Sequence, residues 1–182
     1  MKEFADGVIE DSQRIEELKK AGAIDKPINI SEDSAQRIIT DSAQVAFHAK
    51  EWLTTTIVKF FDQGVHHDIR DITTEQYAAY KQDALCVVYD CDHSLTEEEF
   101  KQKWSDTYDI SYARFGAGFL IDQQDWYEIV VTKCELTDQS IQGTYIFDTE
   151  ITDTGFKLTH ANEITVLLTD VGFKIDDVKK RK

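Results

Sequence analysis

The sequence predicts an α+β fold in which three to four helices pack on a curved antiparallel β-meander. From Ala113 to Val178 the chain is rich in β-branched and aromatic residues and is interrupted by four turn signals. That alternation is typical of consecutive β-hairpins. The residues before this region carry apolar side chains at helical spacing, and a wide apolar helix face needs a sheet or another helix as its cover. Helices packed on one face of the sheet are therefore the expected architecture.

The meander is predicted to contain four strands joined by short turns. The predicted strands are Trp126–Leu136, Thr144–Ile151, Glu163–Leu168 and Phe173–Val178. The turn signals are Asp122–Asp125, Thr137–Ser140, Asp153–Gly155 and Asp170–Gly172. Asp, Gly, Ser and Thr concentrate at these positions, and each of these residue types favours a turn.

The region before the meander is predicted to be mostly helical. Residues 1–22 show a modest helical pattern, and a link that contains the only proline, Pro27, follows them. Ser31 is a suitable N-cap for a long amphipathic helix that ends at Gln63–Gly64. We therefore expect an N-terminal helix and link over residues 1–30 and a single α+β domain over residues 31–182.

Two shorter helices are expected between the long helix and the meander. The first begins at Thr73 or Thr74. The second opens with a capping box formed by Thr96 and Glu99 and ends near Tyr108. In such a box each of the two side chains satisfies a backbone N–H that the helix itself leaves unpaired.

The chain is strongly acidic, and this limits the partners that it can attract. Among 182 residues, 35 are acidic and 20 are basic, which gives a formal net charge of −15. A nucleic-acid backbone would be repelled, whereas a basic protein would be attracted. The four basic residues at the end, Lys179–Lys182, are expected to form a solvated tail.

Cysteine usage and hydropathy bear on the compartment. Three cysteines do not predict a disulfide framework; Cys86 and Cys134 are expected in the core and Cys91 as an exposed thiol. No apolar run is long enough for a transmembrane helix. The first ten residues lack the apolar stretch of a signal peptide. The sequence as it stands indicates the cytoplasm, and export to the periplasm or cell envelope is the alternative if a signal has been removed.

Motifs for catalysis or metal binding are weak. The acidic stretch Asp90–Phe100 is similar to a calcium-binding loop, but its sixth position is Leu95 and its twelfth is Lys101, where glycine and glutamate are needed. The five histidines lack metal-ligand spacing, and neither a nucleophile motif nor a glycine-rich phosphate loop is present. We therefore expect no metal, no cofactor and no identifiable catalytic residue.

Large aromatic side chains are the best candidates for a binding pocket. They come from helices and strands that should face one another, so they could line a cavity between the sheet and its helices. The other interpretation is ordinary core packing. With one histidine on a predicted strand, the ligand-pocket candidates are Trp52, Tyr80, Trp104, Trp126, Tyr145 and His160.

The order of helices followed by a bent meander resembles the NTF2-like superfamily, whose domains form an α+β cone. The closing stretch Ile164–Val178 looks like the last hairpin of such domains. The stretch Tyr80–Trp104, together with Gln124-Asp125-Trp126, is also similar to uncharacterised, often exported, NTF2-like proteins of gut Bacteroidetes. The resemblance covers residues 31–178 and implies either a small-molecule enzyme with a pocket acid or base, or a domain that only binds.

Three functional hypotheses follow. The leading one is a non-enzymatic domain that binds a ligand or another protein. The second is an isomerase-type or cyclase-type enzyme that uses a buried acid or histidine as its base. The third is an acidic inhibitor or immunity protein that covers a basic partner. Curved sheets with an exposed face often pair, so a homodimer is also among the expected arrangements.

Overall fold

The computed structural model describes residues 32–62, 68–89, 91–92, 94–113, 115, 118–140 and 143–181, with side chains from residue 42 onward. The chain divides into two compact units, residues 1–40 and residues 41–182, and the fold described here is that of the second unit. The predicted helix over residues 1–22, the Ser31 cap and the helix end at Gln63–Gly64 lie outside the described residues.

Three α-helices precede the sheet in the described part of the chain. They are α1 (Glu32–Asp62), α2 (Glu75–Cys86) and α3 (Glu97–Trp104). Short 3-10 helices at Ile69–Asp71 and Ile110–Tyr112 come before α2 and after α3.

The sheet is a four-stranded antiparallel meander, and the α+β prediction is confirmed. Its strands are β1 (Ile129–Gln139), β2 (Thr144–Asp153), β3 (Leu158–Thr169) and β4 (Gly172–Lys180), and they neighbour one another in chain order. The sheet is curved, and it does not close into a barrel.

The predicted starts of both shorter helices are confirmed. The Thr74 side chain accepts a hydrogen bond from the backbone of Tyr77 and begins α2. At α3, Thr96 and Glu99 form the reciprocal capping box. The helix ends at Trp104 instead of near Tyr108. The Tyr108 N–H still donates to the Trp104 carbonyl over 2.9 Å, so one further turn follows the helix.

The core lies between one face of the sheet and the helices. Along β2 and β3 every second residue is buried, as expected for strands with one covered face. On α1 the buried residues Ala49, Leu53 and Ile57 recur at steps of four, so they form one stripe. These side chains belong to the same hydrophobic cluster as Phe147 and Ile164 of the sheet.

The first strand begins later than the composition suggests. The strand-rich region was expected to start at Ala113 and its first strand at Trp126, but β1 starts at Ile129. The segment before the sheet contains three consecutive buried apolar residues, Phe119, Leu120 and Ile121. Three consecutive buried residues do not fit the alternation of a strand with one exposed face.

The two edges of the sheet differ. The β4 edge is covered, since Thr74 N–H donates to the Ile175 carbonyl over 2.8 Å and Ile175 N–H donates to the Ile72 carbonyl over 2.9 Å. β1 carries two irregularities in its pairing, at Thr132 and Thr137. Both threonine hydroxyls donate to main-chain carbonyls of β2.

The expectation of a solvated basic tail was wrong. β4 continues through Lys180, so two of the four basic residues are part of the sheet. The Lys180 ammonium forms an ion pair with Asp122. Lys182 lies outside the described residues.

Charged side chains from all four strands and from Arg181 form a row across the outer face of the sheet. Lys133 of β1 lies 2.9 Å from Asp148 of β2, and Arg181 lies 3.3 Å from the same carboxylate. Arg181 also lies 2.9 Å from Glu163 of β3, which lies 3.7 Å from Lys179 of β4. Because positive and negative side chains alternate along this row, the basic residues near the end of the chain are paired with carboxylates of the same molecule.

The expected distribution of the cysteines was partly wrong. Cys86 and Cys91 form a disulfide, so Cys91 is not a free thiol; their Cα atoms are 5.3 Å apart. The five-residue spacing gave no indication of this because the turn at residues 87–89, immediately after α2, brings the two side chains together. Cys134 is a free, buried cysteine, as predicted.

Candidate functional site

The six candidate pocket residues occupy several different places. Tyr80 and Trp104 are brought together, with ring centroids 5.6 Å apart, in a buried aromatic cluster with Phe100 and Tyr108. Tyr80 and Trp104 are therefore part of the packed core. A second group forms around Phe173, whose ring contacts Trp52 and Tyr145 at centroid distances of 5.9 and 6.2 Å.

Trp126 and His160 lie apart from these two groups. Trp126 precedes β1, packs on Phe61 and donates its indole N–H to the Phe61 carbonyl over 3.1 Å. His160 is buried on the inner face of β3, and its Nε2 lies 2.6 Å from Gln123 Oε1. Since an amide oxygen only accepts, this contact assigns a proton to Nε2.

The candidate site is a cleft of about 520 Å³ between the C-terminal half of α1 and the β3–β4 turn. We call it the Trp52 cleft. Its apolar lining consists of Trp52, Phe60, Ile72, Val171 and Phe173. Of the six candidates from sequence, only Trp52 is among its lining residues.

One wall of the Trp52 cleft is a stripe of α1. Trp52, Thr56 and Lys59 are separated by four and three residues, so they lie on one helix face. Phe60 continues this wall, and its ring packs on Phe119 at 5.7 Å. The stripe is apolar at Trp52 and cationic at Lys59, in the last turn of the helix.

The opposite wall comes from the start of β4 and the turn before it. Gly172 has a backbone φ of +110°, a conformation that favours glycine and allows the tight turn. Val171 is 76% exposed at this turn, and Phe173 contacts Trp52 across the cleft. An exposed valine is thus placed at the rim of an apolar cleft.

The polar groups of the Trp52 cleft are few. The ammonium group of Lys174 donates to the carbonyl of Asp71 over 2.7 Å and to that of Arg70 over 3.4 Å. Lys59, Asp71 and Thr56 also line the cleft. The lining residues therefore carry two ammonium groups and one carboxylate.

A separate group of titratable side chains consists of three core tyrosines and the partly buried Asp177. Burial, followed by the nearby charge of Asp177, raises the pKa of Tyr77 and Tyr80. Burial likewise raises the pKa of Tyr108, and the charges of Asp176 and Asp177 add to the effect. Burial also raises the pKa of Asp177, against the opposing effect of Lys179 3.6 Å away. None of these side chains lines the Trp52 cleft.

Asp153 is a fully buried acid with a structural role. Its carboxylate accepts hydrogen bonds from the backbone N–H groups of Tyr127, Gly155 and Phe156. Gln123 connects this carboxylate to His160. Burial by itself raises the pKa of Asp153, but the hydrogen bonds outweigh burial and lower it.

The described residues include no cluster of three or more potential metal ligands. Asp90 and His93 of the acidic loop lie outside these residues. In the part of the chain that the structure describes, no helix has the length and apolarity needed to cross a membrane.

Comparison with known proteins identified no relative of this chain. Protein-family models, curated proteins and solved structures were all compared with this chain, and none of them matches it.

Sequence reasoning missed most of the Trp52 cleft. Phe60 and Phe173 belong to an amphipathic helix and a strand, where apolar residues predict core packing. The Trp52–Thr56–Lys59 spacing was a visible signal for one wall. The other wall depends on how the β3–β4 turn lies against α1.

Proposed function

We propose that this chain is a non-enzymatic binding domain whose ligand site is the Trp52 cleft. The observation that supports the proposal is the composition of the cleft. Five apolar side chains, three of them aromatic, surround about 520 Å³ together with a few polar groups. Sites for small molecules typically have ~300–1,000 Å³ and a mostly apolar lining. The exposed Val171 extends the apolar surface to the rim.

The lining chemistry favours binding over catalysis. The lining residues that the structure describes include no histidine, cysteine or serine. Threonine, lysine and aspartate also act as nucleophiles when an adjacent base or a desolvated position activates them. Here, however, Lys59 is exposed and Lys174 is hydrogen-bonded to main-chain carbonyls. The acid whose pKa burial raises, Asp177, is not among the lining residues. The cleft thus offers surface and charge for recognition.

The proposal extends to family and compartment. The α+β order of helices and meander supports the resemblance to NTF2-like domains, the family that we propose for residues 31–178. The Cys86–Cys91 disulfide supports export, because disulfides persist mainly in oxidising compartments. Of the two compartments that the sequence left open, the periplasm or cell envelope is therefore the one that we propose.

A neutral fluorescent probe tests the binding site. N-phenyl-1-naphthylamine fluoresces strongly only when it leaves water, so titration with purified protein measures access to an apolar site. We expect a saturable rise with one probe per chain. A charge at the rim should disturb an apolar ligand, so Val171→Asp is expected to weaken binding about tenfold, a change of about 1.4 kcal/mol.

A matched substitution elsewhere provides the control. Val88 is also an exposed valine, 56% accessible, and does not line the cleft. Val88→Asp should bind the probe as the unmodified chain does. Absence of saturable binding, or equal weakening by both substitutions, would overturn the assignment of this cleft.

A further inference from the structure

We infer that the ligand of the Trp52 cleft is an amphipathic monoanion, with an apolar body against the aromatic wall and one carboxylate-like group at the lysines. This inference rests on the proposed function and specifies its ligand. It is carried by the charge of the lining, which holds Lys59, Lys174 and Asp71. The cleft is therefore net positive in a chain whose formal charge is −15.

Lys174 holds its charge in a defined position. Its two hydrogen-bond acceptors, the carbonyls of Asp71 and Arg70, are neutral. An ammonium group has three N–H donors, so these carbonyls leave one for a ligand. Because the side chain is already ordered, an anion bound there costs less conformational entropy than one bound by a free lysine.

Lys59 provides the second charge from the other wall. It lies in the last turn of α1, seven residues after Trp52 on the same face. A lysine stem covers apolar surface while its ammonium group stays in water, so Lys59 can close over a ligand that lies on Trp52. The hydroxyl of Thr56, between them, can donate one further hydrogen bond.

Two opposing charges limit the ligand to a single negative charge. The C-terminal end of a helix carries about half a unit of negative charge, and α1 ends near Lys59. Asp71 adds one full negative charge to the lining. Two ammonium groups outweigh both, but the small surplus favours a monocarboxylate over a dianion.

The net charge of the chain does not prevent this recognition. At physiological ionic strength, charges are screened over roughly 8 Å. Acidic groups on distant surfaces then contribute little, while lysines in contact with the ligand act almost fully. Moderate salt is therefore the appropriate condition for the measurement.

Decanoate and decanol form the matched pair of probes, because they share an alkyl chain and differ in charge. Each is used to displace N-phenyl-1-naphthylamine at neutral pH in 0.15 M salt. We expect decanoate to bind about tenfold more tightly than decanol. Lys59→Gln and Lys174→Gln should each reduce this ratio, and the double variant should bring it close to one.

Lys50→Gln is the control, since it removes the same charge from an α1 residue that does not line the cleft. It should preserve the preference for decanoate. Near-ultraviolet circular dichroism verifies that each variant is folded, and the exposed position of Lys59 makes its variant the safest one.

The outcomes separate the two proposals. If the fluorescent probe does not bind, the proposed site fails and the ligand inference fails with it. If the probe binds but decanol and decanoate compete equally, the site stands and the anionic ligand is overturned. Tighter binding of decyltrimethylammonium, or a preference for decanoate that survives both lysine substitutions, would overturn the anionic ligand as well.

Discussion

The backbone N–H of Tyr127 donates a hydrogen bond to the Asp153 carboxylate over 3.1 Å, which joins the segment before β1 to the end of β2. The other carboxylate oxygen accepts from the N–H groups of Gly155 and Phe156 in the β2–β3 turn. One buried side chain thus holds the start of the meander and its second turn together.

Two substitutions of Asp153 should destabilise the fold to different extents. Asp153→Ala removes the acceptor of three partly buried backbone donors, which costs stability. Asp153→Asn can keep the oxygen that serves the turn and loses the one that serves Tyr127, so its urea midpoint should lie between those of the other two proteins. Equal midpoints for the alanine variant and the unmodified chain would contradict this role.

Gly155 is required by the close approach of Tyr127. A Cβ added at Gly155 would lie 2.6 Å from the Cβ of Tyr127, well inside contact distance. Gly155→Ala is expected to lower the free energy of unfolding by about 1–3 kcal/mol, the usual cost of overpacking. Urea denaturation measures the loss.

A second substitution tests this cause. Tyr127→Gly removes the atoms that the new methyl group would meet, and Tyr127 is itself largely exposed. In the Gly155→Ala background it should restore part of the lost stability. No recovery would assign the loss to the backbone of the turn instead.

The raised pKa of Asp177 predicts a pH dependence of stability. Burial raises this pKa above the ordinary 3.8, so the folded chain retains the proton to a higher pH than the unfolded chain. The contribution of Asp177 is fully present below the unfolded pKa and is lost as pH rises through the folded pKa. Asp177→Asn does not titrate, so relative to the unmodified chain it should become more stable between acidic and neutral pH.

Asp148 is expected to give the opposite dependence of stability on pH and serves as the comparison. The hydrogen bond from Lys133 lowers the pKa of Asp148, with Arg181 contributing. Its stabilisation is present above the unfolded pKa and is lost as pH falls through the folded pKa. Asp148→Asn should therefore cost stability at neutral pH, and the cost should fade in acid. Urea titrations across pH measure both variants, and slopes of the same sign would contradict the assignments.

The Cys86–Cys91 disulfide predicts a thiol count and a stability change. The unreduced, denatured chain should expose one reactive thiol, Cys134, and the reduced chain three. Cys91→Ser should lower the free energy of unfolding by about 2 kcal/mol, as expected for a short closed loop.

Reductant provides the control for that substitution. In dithiothreitol the unmodified chain loses the same crosslink, so the two proteins should unfold at nearly the same urea concentration. Three reactive thiols before reduction would show that the bond is absent.

Local patterns were sufficient for most of the secondary structure. The Thr96–Glu99 capping box placed the start of α3, and alternating apolar residues placed β2, because both signals act within a few residues. Strand boundaries were predicted less accurately where consecutive residues are buried and apolar and polar residues do not alternate, as at Phe119–Ile121 before β1. Of the residues that line the candidate site, the sequence predicted only Trp52. The opposite wall comes from the β3–β4 turn, more than one hundred positions further along the chain.

By itself the sequence determined the fold class, the meander order and the acidic character of the chain, because helix caps, turns and apolar periodicity are local properties. Tertiary structure alone decided which cysteines bond, that the basic end is neutralised by Asp148 and Glu163, and that Trp52 faces Phe173 across a cleft. The physical reason is that ion pairs, disulfides and clefts depend on distances between remote residues, which exist only after the sheet has packed against its helices.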